Sequence, residues 1–371
     1  MKFKSLIVLL LVVNSTVYAQ TKPSKESVLD IINKVNGYWQ ANNPAEKWAF
    51  WDYAAYHTGN MEAYFITKNE SYRQYSEAWA EHNEWKGAKS DDKSKWKYDY
   101  GETNEHVLFG DWQIAFQTYI DLYHLDPDSN KIARALEVME YQMNTPNEDY
   151  WWWADGLYMV MPVMTKLYNL TGNHLYLDKL YEYFTYANSI MYDRKENLYY
   201  RDAKYIYPKH KTVNGKKDFW ARGDGWVFSG LAKVIQDLPK DHKHRKEYIS
   251  IYKKMAKAIV KTQQSEGYWT RSMFDPEHAP GPETSGTAFF THGLLWGINN
   301  GFLKEKTYLP AALKGWNYLS TVALQEDGKI GYVQPIGERA IPGQVVDQNS
   351  TTPFGVGAFL LAASEYVRYL D

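Results

Sequence analysis

Apolar residues recur at helical spacing along most of the chain, and short clusters of Gly, Pro, Asn and Asp interrupt them. This pattern predicts about twelve helices, over residues 24–40, 52–67, 70–86, 108–124, 129–144, 152–170, 173–192, 224–238, 243–264, 284–300, 306–320 and 352–369, with few convincing strands. Alternate helices differ in character. One kind is rich in small and apolar residues, as in Phe354-Gly355-Val356-Gly357-Ala358-Phe359-Leu360-Leu361. The other is more charged and follows at once after a polar turn such as Thr171-Gly172-Asn173 or Asp126-Pro127-Asp128-Ser129. Turns of this kind recur roughly every 45 to 65 residues, the mark of a helical-hairpin array. Six hairpins closing on themselves give an all-α (α/α)6 barrel, with the small-residue helices inside and the charged ones outside. An open helical solenoid is the alternative that the same pattern allows.

The polar and aromatic residues that break this grid fall at the starts of the inner helices. They are Trp51-Asp52, Phe109-Gly110-Asp111-Trp112, Trp151-Trp152-Trp153-Ala154-Asp155, Trp220-Ala221-Arg222-Gly223-Asp224-Gly225-Trp226 and Glu283-Thr284-Ser285-Gly286-Thr287. One face of the ring therefore collects them. Helix N-termini present unpaired amides and a partial positive charge, so a face of this kind favours an anionic guest, and Arg222 beside tryptophan walls suits a sugar carboxylate. Asp at a helix start is most often a cap, so Asp52, Asp111 and Asp155 each have a structural reading beside the chemical one. As chemistry, Asp155 behind three tryptophans is the first choice for an acid, because burial against aromatic rings penalises its charge; Asp111 is the second carboxylate.

Composition narrows the field further. The chain of 371 residues holds 15 Trp and 32 Tyr, enough for a sugar-stacking groove as well as a core. It has no cysteine, which excludes disulfides, thiolate metal sites and a cysteine nucleophile. The net charge is −2 and argues against a nucleic-acid partner, which wants a basic face. Lys2 and Lys4, the apolar run Leu6–Val13 and Val17-Tyr18-Ala19 read as a secretory signal peptide cleaved after Ala19, so the mature chain is expected in a periplasm or outside the cell. No later segment has the length of a membrane span. Residues 20–371 carry no linker and read as one domain. Asp126-x-Asp128-x-Asn130 imitates a calcium loop, but Lys131 stands where the loop needs glycine, so no metal is expected there. His242-x-His244 lies in a charge-rich, solvated stretch, and no phosphate loop, nucleophile elbow or paired-histidine zinc helix occurs.

Three stretches carry a family likeness: Trp220–Val227, Trp153-Ala154-Asp155-Gly156-Leu157-Tyr158-Met159 and Gly355–Leu361. From about Asn60 to the C-terminus the chain resembles the unsaturated rhamnogalacturonyl hydrolases of glycoside hydrolase family 105 and, further off, the unsaturated glucuronyl hydrolases of family 88. The resemblance implies an (α/α)6 barrel, with Asp155 as general acid/base and Asp111 as its assisting carboxylate. By the same resemblance Trp220, Arg222 and Trp226 would line the pocket for an unsaturated uronate; Trp153, Trp112 and Arg201 are further candidate substrate contacts of this chain itself. The implied reaction protonates carbon 4 of the 4,5 double bond and adds water at carbon 5; the hemiketal then opens and releases the neighbouring sugar. No metal or organic cofactor is implied. Tyr200-Arg201-Asp202 stands where many family members carry a His, and Asp224 where Asn is frequent. Arg201 would then bind a sulfate or a second carboxylate, or pair with Asp202. Two other readings stay open: a conventional inverting hydrolase or lyase on the same toroid, and a sugar-binding protein without turnover.

Overall fold

The computed structural model describes residues 23–371; the expected signal peptide lies outside the described residues. Thirteen α-helices run along them: α1 Lys25–Asn42, α2 Trp51–Thr67, α3 Glu70–His82, α4 Gly110–Gln113, α5 Ala115–Leu125, α6 Asn130–Met143, α7 Ala154–Thr171, α8 Leu175–Met191, α9 Ala221–Asp237, α10 Arg245–Val260, α11 Thr284–Asn299, α12 Glu305–Tyr318 and α13 Pro353–Leu370. Helices α4 and α5 meet at Ile114, itself in helical conformation, and act as one inner helix with a local irregularity. The only regular sheet among the described residues is a two-residue hairpin, β1 Tyr192–Asp193 with β2 Leu198–Tyr199.

Closure of the ring is direct. Helices α2, α4–α5, α7, α9, α11 and α13 pack each on the next, and α13 returns to pack against α2, which excludes the open solenoid. Helices α1, α3, α6, α8, α10 and α12 form the outer layer. The inner helices are buried almost all round, whereas α3 and α10 bury a single stripe. Small residues set the closing distance: a Cβ on Gly59 would stand 2.1 Å from the carbonyl oxygen of Gly357, so α2 and α13 can approach this closely only with glycine at the crossing. No described helix is long and apolar enough to cross a membrane.

The loops at the N-terminal ends of the inner helices are stitched to one another in a repeating way. The first amide of α7, that of Ala154, donates to the carbonyl of Arg201 at 2.7 Å. The first amide of α9, that of Ala221, donates to Arg271 at 2.9 Å, and that of α11, Thr284, to Tyr332 at 2.9 Å. Each bond satisfies an orphan donor of a helix start and ties the loop entering one inner helix to its neighbour. One of these stitches places Arg201 beside the start of α7.

Candidate active site

Asp52, Asp111 and Asp155 each occupy the second position of an inner helix. The capping positions before them are Phe50, Phe109 and Trp153, none of which makes a side-chain cap bond, so the three aspartates are not helix caps. Capping by side chains is instead found at α11, where Glu283 accepts from the amides of Ser285 and Gly286, and at α13, where Thr352 accepts from Gly355. The aspartates are thus free to face the end of the ring.

Asp111 and Asp155 line one pocket there, about 190 Å³ in volume, with Trp51, Tyr100, Trp153, Arg201 and the loop residues Ile336 to Glu338 around them. Burial lifts the Asp111 carboxyl well above its ordinary value, and the nearby Asp155 charge lifts it further, while Arg201 opposes. Burial also raises Asp155, against the pull of the Arg201 and Arg222 guanidiniums. Two guanidiniums oppose protonation of Asp155 and one that of Asp111, while burial favours the protonated form of both. Neither Asp111 Oδ1 nor Asp155 Oδ2 has a hydrogen-bond partner among the described residues, as expected of groups held ready for a ligand.

Arg201 sets the electrostatics of the pocket. Its Nε lies 3.5 Å from Asp155 Oδ2, and its NH1 group reaches Asp202 at 2.7 Å and Glu338 at 3.2 Å. Of the alternatives open for Arg201, pairing with Asp202 is present, joined by contacts to Asp155 and Glu338 that sequence spacing did not indicate. Glu338 also accepts from Tyr205 and from Lys204 at 3.0 Å, which pins the loop after Val333 across the mouth.

The remaining predicted contacts divide. Trp153 lines the pocket, its indole close to Gly110 and Gly156, where side chains would crowd it. Trp220, Arg222, Trp226 and Trp112 do not line it. Arg222 is fully buried between the rings of Trp220 and Phe354, 4.6 Å from each centroid, and donates to the carbonyls of Gln334, Pro335 and Gly337. Trp220 Nε1 donates to Gln334 Oε1 at 2.8 Å. The two residues stand behind the pocket wall and hold it. Trp226 is fully buried against Tyr158, Phe289, Trp51 and Phe354 from four inner helices, so it packs the ring axis. Trp112 packs on Phe50 and donates from Nε1 to Gly101, bracing the 90–106 segment. Asp224 is buried and accepts from the Tyr199 amide at 2.8 Å, anchoring β2. Near the outer face, Lys131 Nζ reaches Asp126 at 3.0 Å, so the calcium-like run is a paired turn.

A profile of Glycosyl Hydrolase Family 88 matches residues 24–370. The chain belongs to Glycosyl Hydrolase Family 88. A family 88 glycosyl hydrolase from Bacteroides vulgatus is 62% identical, with a TM-score of 0.92 over 94% of this chain and 100% of that one. A solved structure described as a polysaccharide lyase is 72% identical, with a TM-score of 0.92 over 93% of this chain and 98% of that one. An unsaturated 3S-rhamnoglycuronyl hydrolase of Formosa agariphila is 39% identical over 222 residues, which are 59% of this chain and 58% of that relative. This chain thus spans little more than half the length of that relative.

Asp52, outside the pocket lining but at the same end of this family 88 ring, gives a stability test. Burial pushes its carboxyl up to about 6, although Trp48 Nε1 donates to it at 3.1 Å. A carboxyl whose folded value exceeds its unfolded one stabilises the fold fully below the unfolded value, and that contribution is lost as pH rises through the folded value. Asp52→Asn is therefore expected to gain roughly 1–3 kcal/mol at pH 7 and nothing below about pH 4. Urea denaturation at the two pH values checks this; a gain that does not change with pH would contradict the assignment.

Proposed function

We propose that the chain is a hydrolase that removes a 4,5-unsaturated uronate from the non-reducing end of lyase-generated oligosaccharides, with residues 1–19 as a secretion leader and 20–371 as one catalytic domain. The observation that carries this is the pair of buried carboxyls with raised proton affinity, Asp111 and Asp155, beside Arg201 in a pocket sized for one sugar. A uronate carboxylate placed against Arg201 neutralises a charge that opposes protonation of Asp155 and adds a negative one. Bound substrate thereby favours the protonated acid.

Asp155 then gives its proton to carbon 4, and positive charge develops at carbon 5, shared with the ring oxygen. Water adds at carbon 5 and returns a proton to Asp155, with Asp111 orienting the water. The hemiketal opens by breaking the bond from carbon 5 to the ring oxygen. The hemiacetal left at carbon 1 then collapses and frees the neighbouring sugar. The ring of the unsaturated uronate is an enol ether, already activated for this proton transfer, so no metal or cofactor enters.

The rhamnoglycuronyl wording in the name of the Formosa agariphila relative makes rhamnose-linked uronates the first substrates to try. A second reading, eliminative cleavage, is favoured by the description of the 72% identical structure as a polysaccharide lyase. The two reactions move the same signal in opposite directions. Incubation with ulvan-type, pectic and glycosaminoglycan lyase digests is expected to abolish the ultraviolet absorbance of the double bond in at least one. Absorbance that grows on intact polysaccharide, and persists in every digest, would select the lyase.

A further inference from the structure

The catalytic pocket is small. Its volume of about 190 Å³ lies below the ~300–1,000 Å³ of sites for drug-sized ligands, so it takes a single sugar ring. The rest of an oligosaccharide must leave through the mouth. Next to the pocket, and sharing Tyr100 with it, runs an open groove of about 740 Å³ lined by Trp96, Lys97, Tyr98, Asp99, Tyr100 and Trp152. Four of these six side chains are aromatic. Tyr100 is 59% exposed, a large ring left in solvent at the junction of pocket and groove. Amphipathic rings of this kind offer an apolar face to a sugar and keep a polar tip wet.

The groove is preformed. Its backbone is tied by Lys97 N to Glu105 O at 2.9 Å and Leu108 N to Lys97 O at 3.0 Å. Trp96 Nε1 donates to Ser90 O at 2.9 Å, and the Arg134 guanidinium covers the Trp96 ring at 4.9 Å. Tyr98 rests on Tyr150 with ring centroids 4.8 Å apart, and its hydroxyl reaches Asp149 at 3.2 Å. A platform held by its own hydrogen bonds pays little ordering entropy when a ligand settles on it.

We infer that this groove is the binding site for the sugars on the leaving side of the scissile bond, so that the protein selects chains longer than a disaccharide. The direction of the chain in the groove rests on the proposed hydrolase reading, in which the uronate end fills the pocket. Tyr100 and Trp152 flank the first leaving sugar, and Tyr98 carries the one beyond it, with the buried Trp96 as the floor beneath the segment.

The test is calorimetric binding of the unsaturated disaccharide and tetrasaccharide of a lyase-digested rhamnose–uronate polysaccharide to the full chain carrying Asp155→Asn. The tetrasaccharide is expected to bind about tenfold or more tighter than the disaccharide, and adding Tyr98→Ala should bring that ratio close to one. Tyr98→Phe, which keeps the ring, should retain the ratio. Equal affinities for the two lengths, a ratio that survives Tyr98→Ala, or no binding of either would each overturn the groove assignment. If Tyr98→Ala does not fold, the ratio in its parent still decides. Turnover does not enter this readout. Absence of turnover by the unmodified chain would therefore sink the hydrolase reading alone, whereas a ratio of one would sink the groove alone.

Discussion

Asp155→Asn is expected to lower the rate of double-bond loss by about 10²–10⁴-fold or more while leaving the chain folded. Asn keeps the shape of the side chain and its place at the second position of α7, but has no proton to give to carbon 4. The stability cost should be small, because the substitution also removes a charge that burial penalises. Initial rates of absorbance loss, taken together with thermal melts, check both halves. A variant that keeps a tenth of the rate would remove Asp155 from the chemistry, and a collapsed melt would leave the rate uninterpretable as catalysis.

Arg222→Ala is expected to be the more damaging change to the fold, by roughly 3–5 kcal/mol. Burial pulls the Arg222 guanidinium down to about 10, so it remains charged near neutral pH, inside the protein and between two rings. Its removal leaves the carbonyls of Gln334, Pro335 and Gly337 without their donor and opens a cavity between Trp220 and Phe354. Gly337 and Glu338 belong to the pocket wall, so the loss should reach activity as well as stability. Arg222→Lys keeps the charge but not the planar fork, and should fall between wild type and Ala. Urea denaturation of the three proteins checks the order. If Arg222 instead met the substrate directly, Ala would raise KM with little loss of stability.

Much of this arrangement was legible in the spacing of residues. Small-residue helices alternate with charged ones, and that contrast is the contrast between inner and outer layers. The aspartates at 52, 111 and 155 gather at one end because all three sit at the same position of inner helices. The aspartates do not cap for a local reason: an aromatic residue two positions before each of them takes the capping position without capping.

Other features were hidden from periodicity. Helix α9 starts at Ala221 rather than 224, because Gly223 and Gly225 are close-approach glycines and not loop punctuation. A Cβ on Gly225 would stand 2.9 Å from that of Phe289. That shift puts Trp226 a full turn inside the helix and into the ring axis, and puts Arg222 under the wall. The wall itself comes from an irregular loop whose shape depends on Gln334, with bonds to Trp220, Glu283 and Gln344. Nothing periodic marks such a loop, so Ile336 to Glu338 escaped notice. Arg201 was legible as a candidate contact; its place follows from a stitch to α7 that is equivalent to the one Arg271 gives α9.

The central claim is that a buried carboxylic acid protonates carbon 4 of an unsaturated uronate. The most direct test runs the reaction in deuterium oxide and follows the first-formed product by nuclear magnetic resonance. One deuterium delivered to a single face of carbon 4, with the double bond gone, is the predicted result. A released sugar that still holds its double bond and carries no label at carbon 4 would contradict the account.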